Sequence, residues 1–167
     1  ICNGAPSDYS TPLILTSGLP DYCESGATTS EVYIKRVQFN TIDNTSGNEN
    51  GGYSDFTGIS TEVEQGTSYT FSVERGYTDT EYALNYSVWI DFDGYGSLEG
   101  PLEQVWTQNP TYTSLLSTKI TIRIGAKPGP TLMRVSGKSS NTLPGSCEKF
   151  YSGEVEDYMI IIGDAAE

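Results

Sequence analysis

The chain has 167 residues, 9 Lys and Arg against 22 Asp and Glu, a net charge of -13 and no histidine. That length suits one domain with its own core, while the missing histidine excludes Ser-His-Asp and Cys-His nucleophiles and histidine-ligated zinc or iron. The few scattered cations do not form the Lys/Arg surface that displaces phosphate counterions, so no nucleic-acid partner is expected, and what remains is carboxylate acid/base chemistry, hard-cation binding or no catalysis.

Taken in chain order, residues 1–30 hold Pro6, Pro12 and Pro20 and read as an extended lead-in that adds an edge strand. A beginning at Ile1-Cys2 reads as an excised piece of a longer chain. From Glu31 onward, short β-rich runs alternate with turn chemistry. Residues 32–39 form the first run, residues 42–50 a polar loop, and residues 53–57 a strand after Gly51-Gly52. Residues 68–74 set Tyr69, Phe71 and Val73 against Ser68, Thr70 and Ser72, a period of two. Residues 86–92 set Tyr86, Val88, Ile90 and Phe92 on one face, with Trp89 and Asp91 on the other and Trp89 expected in the core. Strands at 103–107, 118–124, 131–137 and 154–162 complete the set, with Ile120, Ile122 and Ile124 on one face of theirs. No stretch has capped helical periodicity. The fold class is all-β: an antiparallel β-sandwich of jelly-roll or immunoglobulin type with roughly eight to ten strands. The longest apolar run, residues 159–162, is strand-sized, so no membrane span is expected.

Two segments concentrate carboxylates. In the first, the strand ending at Ile90 runs into Asp91-Phe92-Asp93-Gly94, with Glu99 and Glu103 following. Gly94 and Gly96 let the backbone turn so that these acids converge, and Asp91, Asp93, Glu99 and Glu103 are the candidate ligands of a calcium ion. The alternative is an Asp-Gly turn whose acids face water. In the second, Glu154, Glu156 and Asp157 enter a strand that continues into an apolar Ile run. Acids buried there need a partner, and Arg134 on a neighbouring strand is the candidate, giving a structural role to all four residues. Nothing else in the chain supports a glycosidase cleft, and no catalytic residue is assigned.

Aromatic rings are the third signal. Tyr53, Tyr77, Tyr82, Tyr95, Trp106, Tyr112 and Tyr151 lie in or near turns, where flat rings stack on sugar faces or anchor protein interfaces. The candidate ligand-binding set is Tyr53, Asp55, Tyr95, Trp106, Tyr112 and Tyr151. A Cys23–Cys147 disulfide would tie the lead-in to the loop before the last strand, leaving Cys2 free or paired outside this stretch.

Gly153-Glu154-Val155-Glu156-Asp157-Tyr158 spells the motif for which the GEVED-domain family is named. Four further stretches also resemble that family: 41–47, 52–57, Val88-Trp89-Ile90-Asp91 leading to Glu103-Gln104-Val105-Trp106, and Met133-Arg134-Val135-Ser136. With Tyr22-Cys23 and Ser146-Cys147-Glu148 at the margins, the resemblance spans residues 21–163. The chain thus reads as a lead-in over 1–30, a sandwich of this type over 31–163 and a tail over 164–167. The resemblance also implies a secreted or cell-surface, non-catalytic bacterial module, covalently linked to a catalytic domain in its parent chain. Family members carry a longer Asp-rich, calcium-type loop after the Trp-Ile-Asp strand. Here Tyr95, Gly96 and Leu98 stand where more acids are expected. The expected function is carbohydrate binding that anchors a parent enzyme to a polysaccharide, algal or cell-wall, with calcium in support. The alternatives are a module that binds collagen-like protein or acts in adhesion, and a structural spacer.

Overall fold

The computed structural model describes residues 18–166. Among these there is no helix, and ten strands form two facing sheets. The strands are β1 (Gly26–Thr29), β2 (Val32–Phe39), β3 (Ile42–Thr45), β4 (Tyr53–Glu64) and β5 (Ser68–Tyr77). They continue with β6 (Leu84–Ile90), β7 (Gln104–Thr111), β8 (Leu115–Thr121), β9 (Gly129–Lys138) and β10 (Lys149–Gly163). The larger sheet runs β1-β10-β9-β6-β7, with β4 also paired to β10; the smaller runs β3-β2-β5-β8. The all-β sandwich expected from the sequence is the observed fold.

One departure is directional. Hairpins force antiparallel pairing, but β1 and β4 both lie parallel to β10. Each is connected to the β2–β3 hairpin of the other sheet, so no tight turn sets its direction. β1 pairs with the first residues of β10, and β4 takes over from Val155. Strand limits shift for related reasons. The expected loop at 42–50 opens with β3, and β4 runs on to Glu64 because β10 supplies partners for Tyr53–Phe56 and again for Ser60–Glu64. β8 stops at Thr121, opposite the first residue of β5, so Ile120 and Ile122 are buried while Ile124 is 76% exposed.

The core between the sheets follows the period of two. Phe71 and Val73 of β5 and Tyr86, Val88 and Ile90 of β6 point into it, as does Phe92 just beyond. On β2 a bulge between Ile34 and Arg36 shifts the phase, so Val32, Ile34, Val37 and Phe39 all face inward. A second, smaller apolar cluster sits on the outer face of the larger sheet. Trp89 belongs there with Leu98 and Leu132, covered by Leu19 and Tyr22 of the lead-in. Trp89 is therefore a core residue, as expected, in the smaller of the two apolar clusters.

Cys23 and Cys147 form a disulfide with a Cα–Cα distance of 5.5 Å. It pins residues 18–25 across the outer face of the larger sheet. Cys2 lies outside the described residues.

Candidate functional site

The Gly153–Tyr158 motif is divided by strand alternation. Asp157 faces outward, opposite Arg134 of β9, whose Nε and Nη2 donate to its two oxygens at 2.8 and 2.9 Å. The same guanidinium donates from Nη1 to the carbonyls of Cys23 and Ser146, both at 2.8 Å. Both side chains are nearly fully buried, so this bidentate pair ties β9, β10 and the two sides of the disulfide together. Glu154 and Glu156 face the other way, into the space between the sheets, and do not meet Arg134. That corrects the expectation of one arginine serving all three acids.

Glu154 accepts from the Ile34 N–H at 3.0 Å and the Ser54 hydroxyl at 2.9 Å. Glu156 accepts from Ser46 at 2.9 Å and Tyr158 at 2.6 Å. Burial, and then the charge of Glu156, pushes Glu154 up to about 8; burial pushes Glu156 up to about 7. Burial between the sheets thus favours the protonated form of both glutamates. Gly153, at φ 140°, is the one residue type that fits: a Cβ there would lie 2.0 Å from the Gly137 carbonyl oxygen.

The loop after β6 gathers a second group of acids. The Asp91 carboxylate accepts from the backbone N–H groups of Gly94 (2.7 Å) and Gly96 (3.0 Å) and from the Tyr22 hydroxyl (2.6 Å). Gly94 and Gly96 have φ of 74° and 85°, the left-handed region that turns those N–H groups inward. Glu103 Oε2 accepts from the Gly100 N–H at 3.0 Å, while its Oε1 is buried with no partner. Asp91, Asp93 and Glu103 each bring a carboxylate oxygen within 4.8 Å of the others. Burial raises Asp91, but the Tyr22 phenol and the Gly96 and Gly94 N–H groups outweigh it and hold the carboxyl below its ordinary range. Glu103 is pushed up to about 7 by burial and then by the charges of Asp93 and Asp91. An unpartnered carboxylate oxygen facing two other acids is a donor set for a hard cation, which would relieve that repulsion. Glu99 lies outside this group: its neighbour Leu98 is buried against Trp89 and Leu132, and Glu99 is left in solvent.

A groove of about 570 Å³ lies between the lead-in and the edge where β1 gives way to β4. Tyr22, Tyr53, Asp55, Thr57 and Lys149 line it, and the Arg134–Asp157 pair forms part of its wall. The Tyr53 hydroxyl donates to Asp157 at 2.7 Å, which fixes the ring while leaving 38% of the residue exposed. Asp55 is held by the N–H and hydroxyl of Thr57 at 2.9 and 2.7 Å. Tyr22 belongs to both places, since it lines the groove and its hydroxyl reaches Asp91. Nothing local in the sequence announces that link across 69 positions.

The remaining candidates are dispersed. Tyr95 and Tyr151 are 85% and 75% exposed and lie outside the groove lining. Trp106 is half-buried, packed on the rings of Phe71 and Tyr86 at the edge of the core, and lies outside the groove lining. Tyr112 stands beside Arg75, a buried arginine that sequence reasoning overlooked. The signal for it was present: the alternation of β5 puts Arg75 on the same face as Phe71 and Val73.

No curated protein sequence matches the chain. A solved structure of the CARDB domain of a Pyrococcus furiosus protein, in complex with di-metal ions, is 13% identical, with 81% of this chain and 92% of that one covered and a TM-score of 0.35. The model of the GEVED domain family matches residues 85–161, from β6 through the Gly153–Tyr158 motif, and this is the family that the ordered sequence motifs resemble.

Proposed function

We propose that the chain is a non-catalytic carbohydrate-binding module that holds a secreted parent enzyme on a polysaccharide. The observation that carries this reading is the groove beside Tyr53. An aromatic flank, a fixed carboxylate (Asp55), a hydroxyl (Thr57) and an ammonium (Lys149, paired with Glu24 at 2.6 Å) converge there on a wall held by a buried ion pair. A sugar presents an apolar C–H face to the ring and hydroxyls to the polar groups, and little needs to be ordered on binding. The net charge of -13 disfavours sulfated or uronic polymers and points to neutral glycans.

Asp91, Asp93 and Glu103 would hold a divalent cation, and calcium suits their hard oxygen donors, with backbone carbonyls and water completing the shell. Its part is structural: it would stiffen the loop whose Asp91 anchors Tyr22 at the groove. The disulfide suits an oxidising, extracellular setting, and among the described residues no helix is long and apolar enough to cross a membrane.

Affinity electrophoresis through neutral and acidic polysaccharide gels, with and without chelator, tests the reading beside a collagen-like peptide column. Retardation by a neutral polymer that Tyr53→Ala weakens is the expected result. Retention on the peptide with no retardation in any gel would replace carbohydrate binding with a protein-directed role.

A further inference from the structure

A second set of tyrosines is gathered around Arg75, away from the groove. Arg75 lies near the end of β5 and is only 5% exposed. Its Nη1 donates to the carbonyl of Tyr82 at 2.7 Å, and its Nη2 donates to the carbonyl of Tyr112 at 2.6 Å and pairs with Glu81. The rings of Tyr77 and Tyr112 lie 5.6 and 5.8 Å from the guanidinium carbon. One buried side chain thus ties the β5–β6 loop to the β7–β8 loop and sets the positions of Tyr77, Tyr82 and Tyr112. All three remain open to solvent, at 46%, 43% and 64%.

The surroundings define what such a patch takes. The guanidinium charge is met by Glu81, and residues 78–81 add Asp79 but no Lys or Arg. Among residues 77–82 and 112–115 there is thus no cation to receive a sulfate, phosphate or carboxylate. Thr78, Thr80, Thr113 and Ser114 are exposed in the same two loops, and Leu115 is the one exposed aliphatic side chain among residues 77–82 and 112–115. Rings gathered around Arg75 in loops that expose hydroxyls match alternating C–H faces and hydroxyls, not the aliphatic anchors of a protein partner.

We propose that the Tyr77–Tyr82–Tyr112 patch is a second carbohydrate-binding surface, stacking neutral sugar rings. It rests on the reading of the module as a carbohydrate binder and adds a contact on other elements than the groove. Two sites that engage one long polymer raise its apparent affinity over that of a short oligosaccharide.

The test is affinity electrophoresis in galactomannan and in mixed-linkage β-glucan. It compares wild type, Tyr53→Ala, the Tyr77→Ala/Tyr112→Ala pair and the corresponding Phe pair. The Ala pair is expected to bind about tenfold more weakly, and the Phe pair to stay within about twofold of wild type, because the ring faces remain. Tyr82 meets Arg75 through its carbonyl, so Tyr82→Ala supplies the same readout should the Ala pair not fold. Retardation of the folded Ala pair, or of Tyr82→Ala in its place, equal to that of wild type, with Tyr53→Ala released, overturns the patch and leaves the groove standing. Full retardation of Tyr53→Ala with loss in the Ala pair upholds the patch and removes the groove. No retardation of wild type in either gel overturns both.

Discussion

Glu154 and Glu156 lie fully buried between the sheets, and removing one of these titrating groups has a calculable consequence. In the unfolded chain each glutamate titrates near pH ~4.3. In the folded protein Glu154 is pushed up to about 8, by burial and then by Glu156. Because the folded value is raised, the contribution to stability is complete below the unfolded value. It is lost as pH rises through the folded one. Each pH unit in that window removes about 1.4 kcal/mol, so about 4 kcal/mol disappears between pH ~5 and ~8.

Glu154→Gln replaces the titrating acid with a neutral group of the same shape. It keeps an oxygen for the Ile34 N–H but forfeits the bond accepted from Ser54, a loss of about 1 kcal/mol. The variant is therefore slightly less stable than wild type at pH ~5 and more stable by about 3 kcal/mol at pH ~8. For a chain of this size the relative gain across the window is on the order of 10 °C in Tm. Urea denaturation at a series of pH values gives the comparison directly. Glu156 and Glu103 titrate in the same range with the same sign, so a shallower slope persists in the variant. Parallel stability curves for wild type and Glu154→Gln would refute the reasoning, since they would mean that Glu154 has the same proton affinity folded and unfolded.

The acidic loop makes a prediction of opposite pH sense: calcium must displace the proton of Glu103, so its stabilisation grows from pH ~6 to ~8 and reaches about 2.7 kcal/mol at a hundredfold excess over Kd. Thermal melts with calcium and with chelator check this, and Asp91→Asn should erase the difference. Arg134→Met leaves Asp157 buried without its partner and frees the Cys23 and Ser146 carbonyls; a loss of about 3–5 kcal/mol in urea unfolding is expected. Replacing Cys23 and Cys147 by Ser opens a loop spanning 124 positions and should cost about 5 kcal/mol, measured by the same unfolding curves. Gly153→Ala meets the Gly137 carbonyl at a backbone angle that side chains rarely adopt, so soluble yield should fall sharply, while Gly58→Ala, which has open space, should be tolerated.

The sandwich was legible because its core strands carry a local signal. β5 and β6 alternate cleanly, and side-chain period alone assigns Phe71, Val88 and Ile90 to the interior. Strand ends were less legible, since they depend on a partner. Ile124 continues the alternation of Ile120 and Ile122, yet β5 begins opposite Thr121 and nothing remains for the strand to pair with. The extension of β4 was hidden for the converse reason. Gly58 looks like a breaker, but residues 57–59 are skipped in the register with β10, and pairing resumes at Ser60.

The two acidic segments show where a sequence reading stops and why. Alternation already divides the Gly153–Tyr158 motif, putting Glu154, Glu156 and Tyr158 on one face and Val155 and Asp157 on the other. What each face meets is decided by strands far away in the chain. Arg134 lies on the outward side, so it can serve Asp157 alone. The inward side meets β2, whose Ile34 donates an N–H but no charge. With no cation available there, burial is made tolerable by retaining a proton, so the same acid-rich text yields an ion pair on one face and a protonated acid on the other. In the Asp91–Glu103 loop the deciding contact is Tyr22, which reaches in from the lead-in and helps keep Asp91 ionised beside the raised Glu103. An ionised acid beside one that holds its proton near neutral pH is an arrangement that an arriving cation can convert into two ligands.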